Sequence, residues 1–129
     1  MNLESPKVTV QKTSQEIFDF LSKVENFEDI MPENIDKFET SDDSFKFALK
    51  GMPEIRLKMQ EQDAPKRIVL GSTSDKFPFT LTADIEDDTD ASSHVQLKFD
   101  GSFNPMVAMM VKGPLQKFIN TLIGNIEKK

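Results

Sequence analysis

The sequence predicts an α+β fold: a curved antiparallel sheet of about seven strands, with two short helices after the first strand and one long kinked helix packed across the concave face. Three observations lead there. From residue 37 to residue 101 apolar and polar side chains alternate with a period of two, as in strands with one buried face. From residue 105 to about residue 126 the period becomes helical. The two patterns are joined directly, because Val95, Leu97 and Phe99 run through Gly101 and Phe103 into Asn104-Pro105. A one-sided sheet needs a cover, and this helix is too apolar to stand free.

The elements follow in chain order. Residues 7–11 place Val8 and Val10 on one face and Thr9 on the other, giving a first strand. Thr13 with Glu16 three residues later is a capping-box pattern, and Ile17, Phe20, Leu21 and Val24 recur at helical spacing. A second short helix is expected over residues 25–31, stopped by Pro32. A short strand around Phe38 opens a meander. Phe45, Phe47 and Leu49 alternate with Lys46, Ala48 and Lys50, and Gly51-Met52-Pro53 turns the chain into Ile55, Leu57 and Met59. Ala64-Pro65-Lys66 makes the next turn. Strands at 68–70, at Phe79 to Ile85 and at Val95 to Phe99 complete the sheet, with the acidic stretch 86–90 expected as a solvated loop between the last two.

Asn104 as cap and Pro105 at the first helical position start the last helix, at about 33 Å for some 22 residues. Steps of 100° put Val107, Val111, Leu115, Phe118, Leu122 and Ile126 on one stripe, expected to face the sheet. Pro114 has no N–H for the carbonyl of Met110, so a kink is expected at Gly113-Pro114.

Composition removes several function classes. A chain of 129 residues is the size of one ordinary domain, expected to span 1–129. With no cysteine there are no disulfides, thiolate metal sites or cysteine nucleophiles, which suits a reducing, cytoplasmic location. The N-terminal residues lack the basic start and apolar run of a signal peptide. The longest oily stretch, 106–111, is far short of the roughly 20 residues needed to span a bilayer, so membrane insertion is not expected. A net charge of −6 with only Arg56 and Arg67 as arginines argues against nucleic acid. Every aromatic is Phe, 11 in all, so an interior built from them offers no hydrogen-bonding handle.

The order of strand, two short helices, six-strand meander and long C-terminal helix resembles the START-like, or SRPBCC, superfamily with its helix-grip fold. The local match is Thr13-Ser14-Gln15-Glu16-Ile17-Phe18-Asp19-Phe20-Leu21, through Glu25-Asn26-Phe27 to Ile30-Met31-Pro32. It is similar to the opening of the polyketide cyclase/dehydrase and lipid-transport-like group. The resemblance covers essentially the whole chain in topology. It implies a cavity between sheet and last helix for an apolar or amphipathic small molecule, lipid-like or polyketide/aromatic. No catalytic motif is shared across the superfamily, so it assigns no catalytic residue here.

The residues of inward parity expected to line that cavity are Phe47, Leu57, Phe79, Leu81, Leu97 and Phe99 from the sheet. Phe27 and Met31 from the second helix join them, with Val107, Met110, Val111 and Phe118 from the last. The same residues are equally suited to a filled core, because periodicity does not separate a packed core from a lined cavity. Met106 and Met109 fall toward the Lys112 and Gln116 side, which makes them candidates for a lid, for burial after kinking or for a homodimer contact. His94 shares the parity of Gln96, Lys98 and Asp100 and reads as a surface histidine rather than a catalytic one. One histidine, no cysteine and outward carboxylates give no expected metal site or cofactor. The acidic run 84–90 lacks the central glycine and terminal glutamate of a calcium loop.

Binding of an apolar small molecule is therefore the leading expectation. An aromatic cyclase or dehydratase working mainly by shaping its substrate is the second. A filled-core interaction module forming a homodimer is the third.

Overall fold

The concave face is built from strand pairs whose apolar residues meet in register. The computed structural model describes residues 1–33, 35–49, 54–73 and 78–129; the expected turn Gly51-Met52-Pro53 lies outside them. In the last hairpin, β7 (Phe79–Thr89) and β8 (Ser92–Gly101) pair Leu81 with Phe99, Ala83 with Leu97 and Ile85 with Val95. The alternate pairs, Thr82 with Lys98, Asp84 with Gln96 and Glu86 with His94, form the outer face. This is the two-residue period of the sequence turned into two faces.

The remaining strands are β1 (Asn2–Glu4), β2 (Val8–Val10), β3 (Ile35–Ser41), β4 (Ser44–Leu49), β5 (Ile55–Asp63) and β6 (Arg67–Ser72). The eight described strands form one antiparallel sheet in the order β1-β8-β7-β6-β5-β4-β3, with β2 also pairing β8. β1 is an addition to the expected set. Pro6 has no N–H for a ladder and separates β1 from β2. Ser5 holds both strands to β8 across the break: its N–H donates to the Leu97 carbonyl, and its Oγ accepts from the Leu97 N–H, each at 2.9 Å.

The acidic stretch is also not the expected loop. Glu86 and Asp87 pair with His94 and Ser93, so β7 runs to Thr89 and the turn is confined to Asp90 and Ala91. Cross-strand bonding of the backbone outweighs the low strand propensity of these carboxylates, which point to solvent. At the opposite edge of the sheet, Lys46 lies 3.0 Å from Glu39 and Lys37 lies 3.5 Å from Glu54, so the free edge of β3 is lined with charge.

Helix α1 (Ser14–Leu21) starts at the expected capping box. Thr13 Oγ1 accepts from the Glu16 N–H at 3.2 Å and Glu16 Oε1 accepts from the Thr13 N–H at 3.1 Å. The second helix is a 3-10 helix, Val24–Ile30, burying Val24, Phe27 and Ile30, with Pro32 just beyond its end. α2 (Pro105–Glu127) is one continuous helix containing Pro114, and Asn104 caps it by accepting from the Val107 N–H at 2.9 Å. Its buried stripe is Val111, Leu115, Phe118, Ile119, Leu122, Ile123 and Ile126. Ile119 and Ile123 widen and rotate the stripe relative to the expected one, leaving Val107 at its margin and only partly buried.

Phe118→Ala is expected to cost about 3–5 kcal/mol in urea unfolding, because the ring is buried and stacked. The N–H of Thr13 above all, and its hydroxyl, hold the Glu16 carboxyl below its ordinary value of 4.5. A depressed carboxyl stabilises the fold above its unfolded-state value and loses that contribution as pH falls through its folded value. The Tm difference between the parent chain and Glu16→Ala is therefore expected to be largest near neutral pH and to narrow below pH 4.5.

Candidate functional site

Two runs of phenylalanine rings occupy the space between sheet and helices. In the first, Phe27 stacks on Phe45 at 4.9 Å, Phe38 joins Phe45 at 5.4 Å, Phe45 meets Phe47 at 5.8 Å, and Phe47 meets Phe118 at 5.2 Å. These distances are those of favourable offset ring pairs. The run ties the 3-10 helix, through β4, to the middle of α2. In the second, Phe79 stacks on Phe99 at 4.7 Å and Phe99 meets Phe103 at 6.2 Å, where β8 leads into α2.

α2 covers these runs unequally. Its C-terminal half is fixed: Leu115, Phe118, Ile119, Leu122, Ile123 and Ile126 are buried. Gln116 Nε2 donates to the Glu4 carbonyl and Asn125 Nδ2 to the Ile30 carbonyl, both at 2.9 Å. The space left beneath this half is a cavity of about 10 Å³ among Leu21, Phe27, Ile30, Leu70, Leu81, Leu97 and Leu122, the volume of one water at most. In the N-terminal half no residue from 102 to 110 is buried, and Val111 is the first that is. Met106, Met109 and Met110 are 74%, 83% and 71% exposed.

Of the residues expected to line a cavity, Phe27, Met31, Phe47, Leu57, Phe79, Leu81, Leu97, Phe99, Val111 and Phe118 all lie in one buried apolar cluster, with Val107 packed against it. Leu81, Leu97 and Phe27 reach the small cavity under the C-terminal half. Phe79 and Phe99 lie near the start of α2. Met110 lies outside this cluster and is exposed. At 100° per residue it falls roughly 140° from the middle of the buried stripe, and a helix that runs through Pro114 keeps it there. Phe45 and Phe103 belong to the aromatic runs as well. Phe45 carries the same parity signal as Phe47, and Phe103 stands in the strand-to-helix join.

A concavity of about 730 Å³ opens on the outer face of the sheet and is lined mainly by charged side chains. Its charges neutralise one another. Asp84 lies 2.8 Å from Arg67 Nε and 3.2 Å from Lys98 Nζ, and Lys7 lies 3.6 Å from Glu86. The Asp84 carboxylate accepts from Arg67 and raises the guanidinium's pKa further. These paired groups order the outer face.

His94 has the expected outward parity and is held between Thr9 Oγ1, 3.1 Å from Nδ1, and Asp88 Oδ1, 3.2 Å from Nε2. Among the described residues no three His, Asp or Glu side chains converge as metal ligands. No helix among them is long and apolar enough to cross a membrane.

Comparison with known proteins agrees with this architecture. Residues 7–129 match the CoxG family of carbon monoxide dehydrogenase subunits. No curated protein sequence matches the chain. Among solved structures, the protein XoxI from Bacillus cereus is similar, with a TM-score of 0.76 at 8% identity over 98% of this chain and 93% of the other. A START superfamily protein from Mycobacterium smegmatis has a TM-score of 0.70 at 15% identity over 98% and 97% of the two chains. Norcoclaurine synthase from Thalictrum flavum, a point mutant, has a TM-score of 0.76 at 13% identity over 99% and 92%. At these identities the likeness is one of fold: a START-like helix-grip.

The uneven cover has a direct stability signature. Met106→Gln, Met109→Gln and Met110→Gln are each expected to change the unfolding free energy by less than about 0.5 kcal/mol. Leu115→Ala, on the same helix, is expected to lose about 2–5 kcal/mol, with urea titration separating the two classes.

Proposed function

The chain belongs to the CoxG family of carbon monoxide dehydrogenase subunits, and we propose that it binds an apolar or amphipathic small molecule, lipid-like or polyketide/aromatic, between the concave face and the N-terminal half of α2. The observation that carries this reading is the unequal burial of α2. A helix half with no buried residue from 105 to 110 follows directly on the ring run Phe79, Phe99 and Phe103, of which Phe103 is partly exposed. Phe47, Leu57, Val107 and Val111 extend the proposed lining. Phe27, Met31, Leu81, Leu97 and Phe118 continue it toward the packed half, and Met110, on the exposed side of α2, stands at its outer margin. Affinity at such a wall comes from area, at about 25 cal/mol per Å² of apolar surface buried, with little polar selection. Norcoclaurine synthase, of the same fold, is known in complex with dopamine and hydroxybenzaldehyde, which supports a ring-accepting interior as one use of this architecture.

Native mass spectrometry of gently purified protein is expected to show a co-purifying apolar molecule. Added fatty acids or aromatic compounds are expected to raise Tm. The absence of both signals defeats the proposal.

A second reading rests on the methionines. Met106 and Met109, with Met110 beside them, form an exposed apolar face on α2, which we propose as a homodimer contact. Light scattering is expected to show a dimer that Met106→Asp and Met109→Asp dissociate. A monomer at millimolar concentration rules it out.

A further inference from the structure

A second groove lies at the other end of α2. It measures about 460 Å³ and runs between α1 and the last turn of α2, with Val10, Ile17, Phe20 and Ile126 as its floor and Lys12, Glu16, Asp19 and Lys129 around its rim. The volume falls within the range of small-molecule sites. It shares no residue with the proposed ligand wall near the start of α2.

One group of the chain itself already occupies this groove. The Lys129 ammonium lies over the Phe20 ring, 5.5 Å from its centroid, within the range of a cation–π contact. Two carboxylates, Glu16 and Asp19, line the same groove as this ammonium. Asp19 Oδ1 accepts from Gln15 Nε2 at 2.8 Å, and Asp19 has no cation partner among the described residues. Glu16 is held ionised by the capping box, and Lys12, the other rim cation, acts on Glu16. Across the molecule the net charge of −6 draws cations and repels anions. Ring face, ionised carboxylates and an apolar floor are the recognition elements for an organic ammonium attached to an apolar body.

We propose that this groove is a binding site for amphiphilic amines, primary or quaternary, with the Lys129 side chain as an intramolecular occupant that the ligand displaces. The apolar body lies along Ile17 and Ile126, and the ammonium replaces Lys129 over Phe20 beside Asp19.

The test is an amide-shift NMR titration of the full chain with octyltrimethylammonium, octanoate and octanol in parallel. Octyltrimethylammonium is expected to shift the Phe20, Ile126 and Lys129 amides with a saturating curve, while octanoate and octanol bind at least roughly tenfold more weakly. Lys129→Ala is expected to tighten ammonium binding roughly two- to fivefold by removing the competitor. Asp19→Asn and Phe20→Leu, at exposed and partly exposed positions, are expected to weaken it by a similar factor. Three results overturn the proposal: equal binding of the three probes, no change on Asp19→Asn and Phe20→Leu, or shifts confined to Phe79, Phe99 and Phe103. The last of these supports the wall near the start of α2 and removes the groove. Failure of that wall leaves the groove result standing.

Discussion

The contact between Phe47 and Phe118 is the constraint on which the arrangement of this protein depends. A sheet whose inner face presents Phe45, Phe47, Leu57, Leu70, Leu81, Leu97 and Phe99 has to be covered, because exposing so much apolar surface to water outweighs any gain from strand pairing. The ring pair fixes which residue of α2 lies over the middle of β4. From that point the rest follows. Phe45 passes the packing on to Phe27, which places the 3-10 helix, and Asn125 then closes the circuit by donating to Ile30 in the same short helix. Helix, sheet and 3-10 helix thus hold each other in register; among the described residues no charged side chain is buried and every buried side-chain polar atom has a hydrogen-bond partner.

The same circuit explains why α2 has two unlike halves. Every tie described for the helix body, from Gln116 to Glu4 and from Asn125 to Ile30, lies beyond Pro114. Before it, the helix is held by its Asn104 cap, by Val107 and Val111 at the edge of the stripe, and by chain continuity. Pro114 cannot donate to the Met110 carbonyl, so the two halves are coupled through one fewer backbone bond than a regular helix supplies. A segment with little buried apolar surface and a weakened connection to the anchored part opens at lower free energy than the fold as a whole.

Much of this was legible in the sequence, and the exceptions share a cause. The two-residue period from Phe45 to Phe99 located the inner face, and Thr13 with Glu16 located the start of α1, because both are local signals between near neighbours. β1 was not legible: Leu3 is its one apolar residue, which gives no alternation to read, and its strand character comes from pairing with Lys98, Phe99 and Asp100 at the far end of the sequence. The acidic residues 86–90 misled for the same reason, since their strand character comes from Ser93 and His94 opposite them. Met110, expected beside Val111 in the lining, is exposed. Its azimuth on a continuous helix, with Ile119 and Ile123 rotating the stripe away from it, accounts for that exposure. Parity shows which way a strand residue points. Only the third dimension shows how far a helix reaches over it.

The distinction between a core and a pocket, which periodicity left open, divides along the length of α2. Under Leu122 the residues are packed to within about one water, and a ligand entering there has to separate buried side chains at a cost of several kcal/mol. Residues 105–110 include no buried residue, so displacing them uncovers mainly Val107 and the part of Phe103 that they shield, a smaller loss than under Leu122. A ligand shifts a conformational equilibrium only by its differential affinity for the two states. On the proposed reading that difference is the apolar area a guest buries beside Phe103 and Val107, less the area residues 105–110 bury there without it.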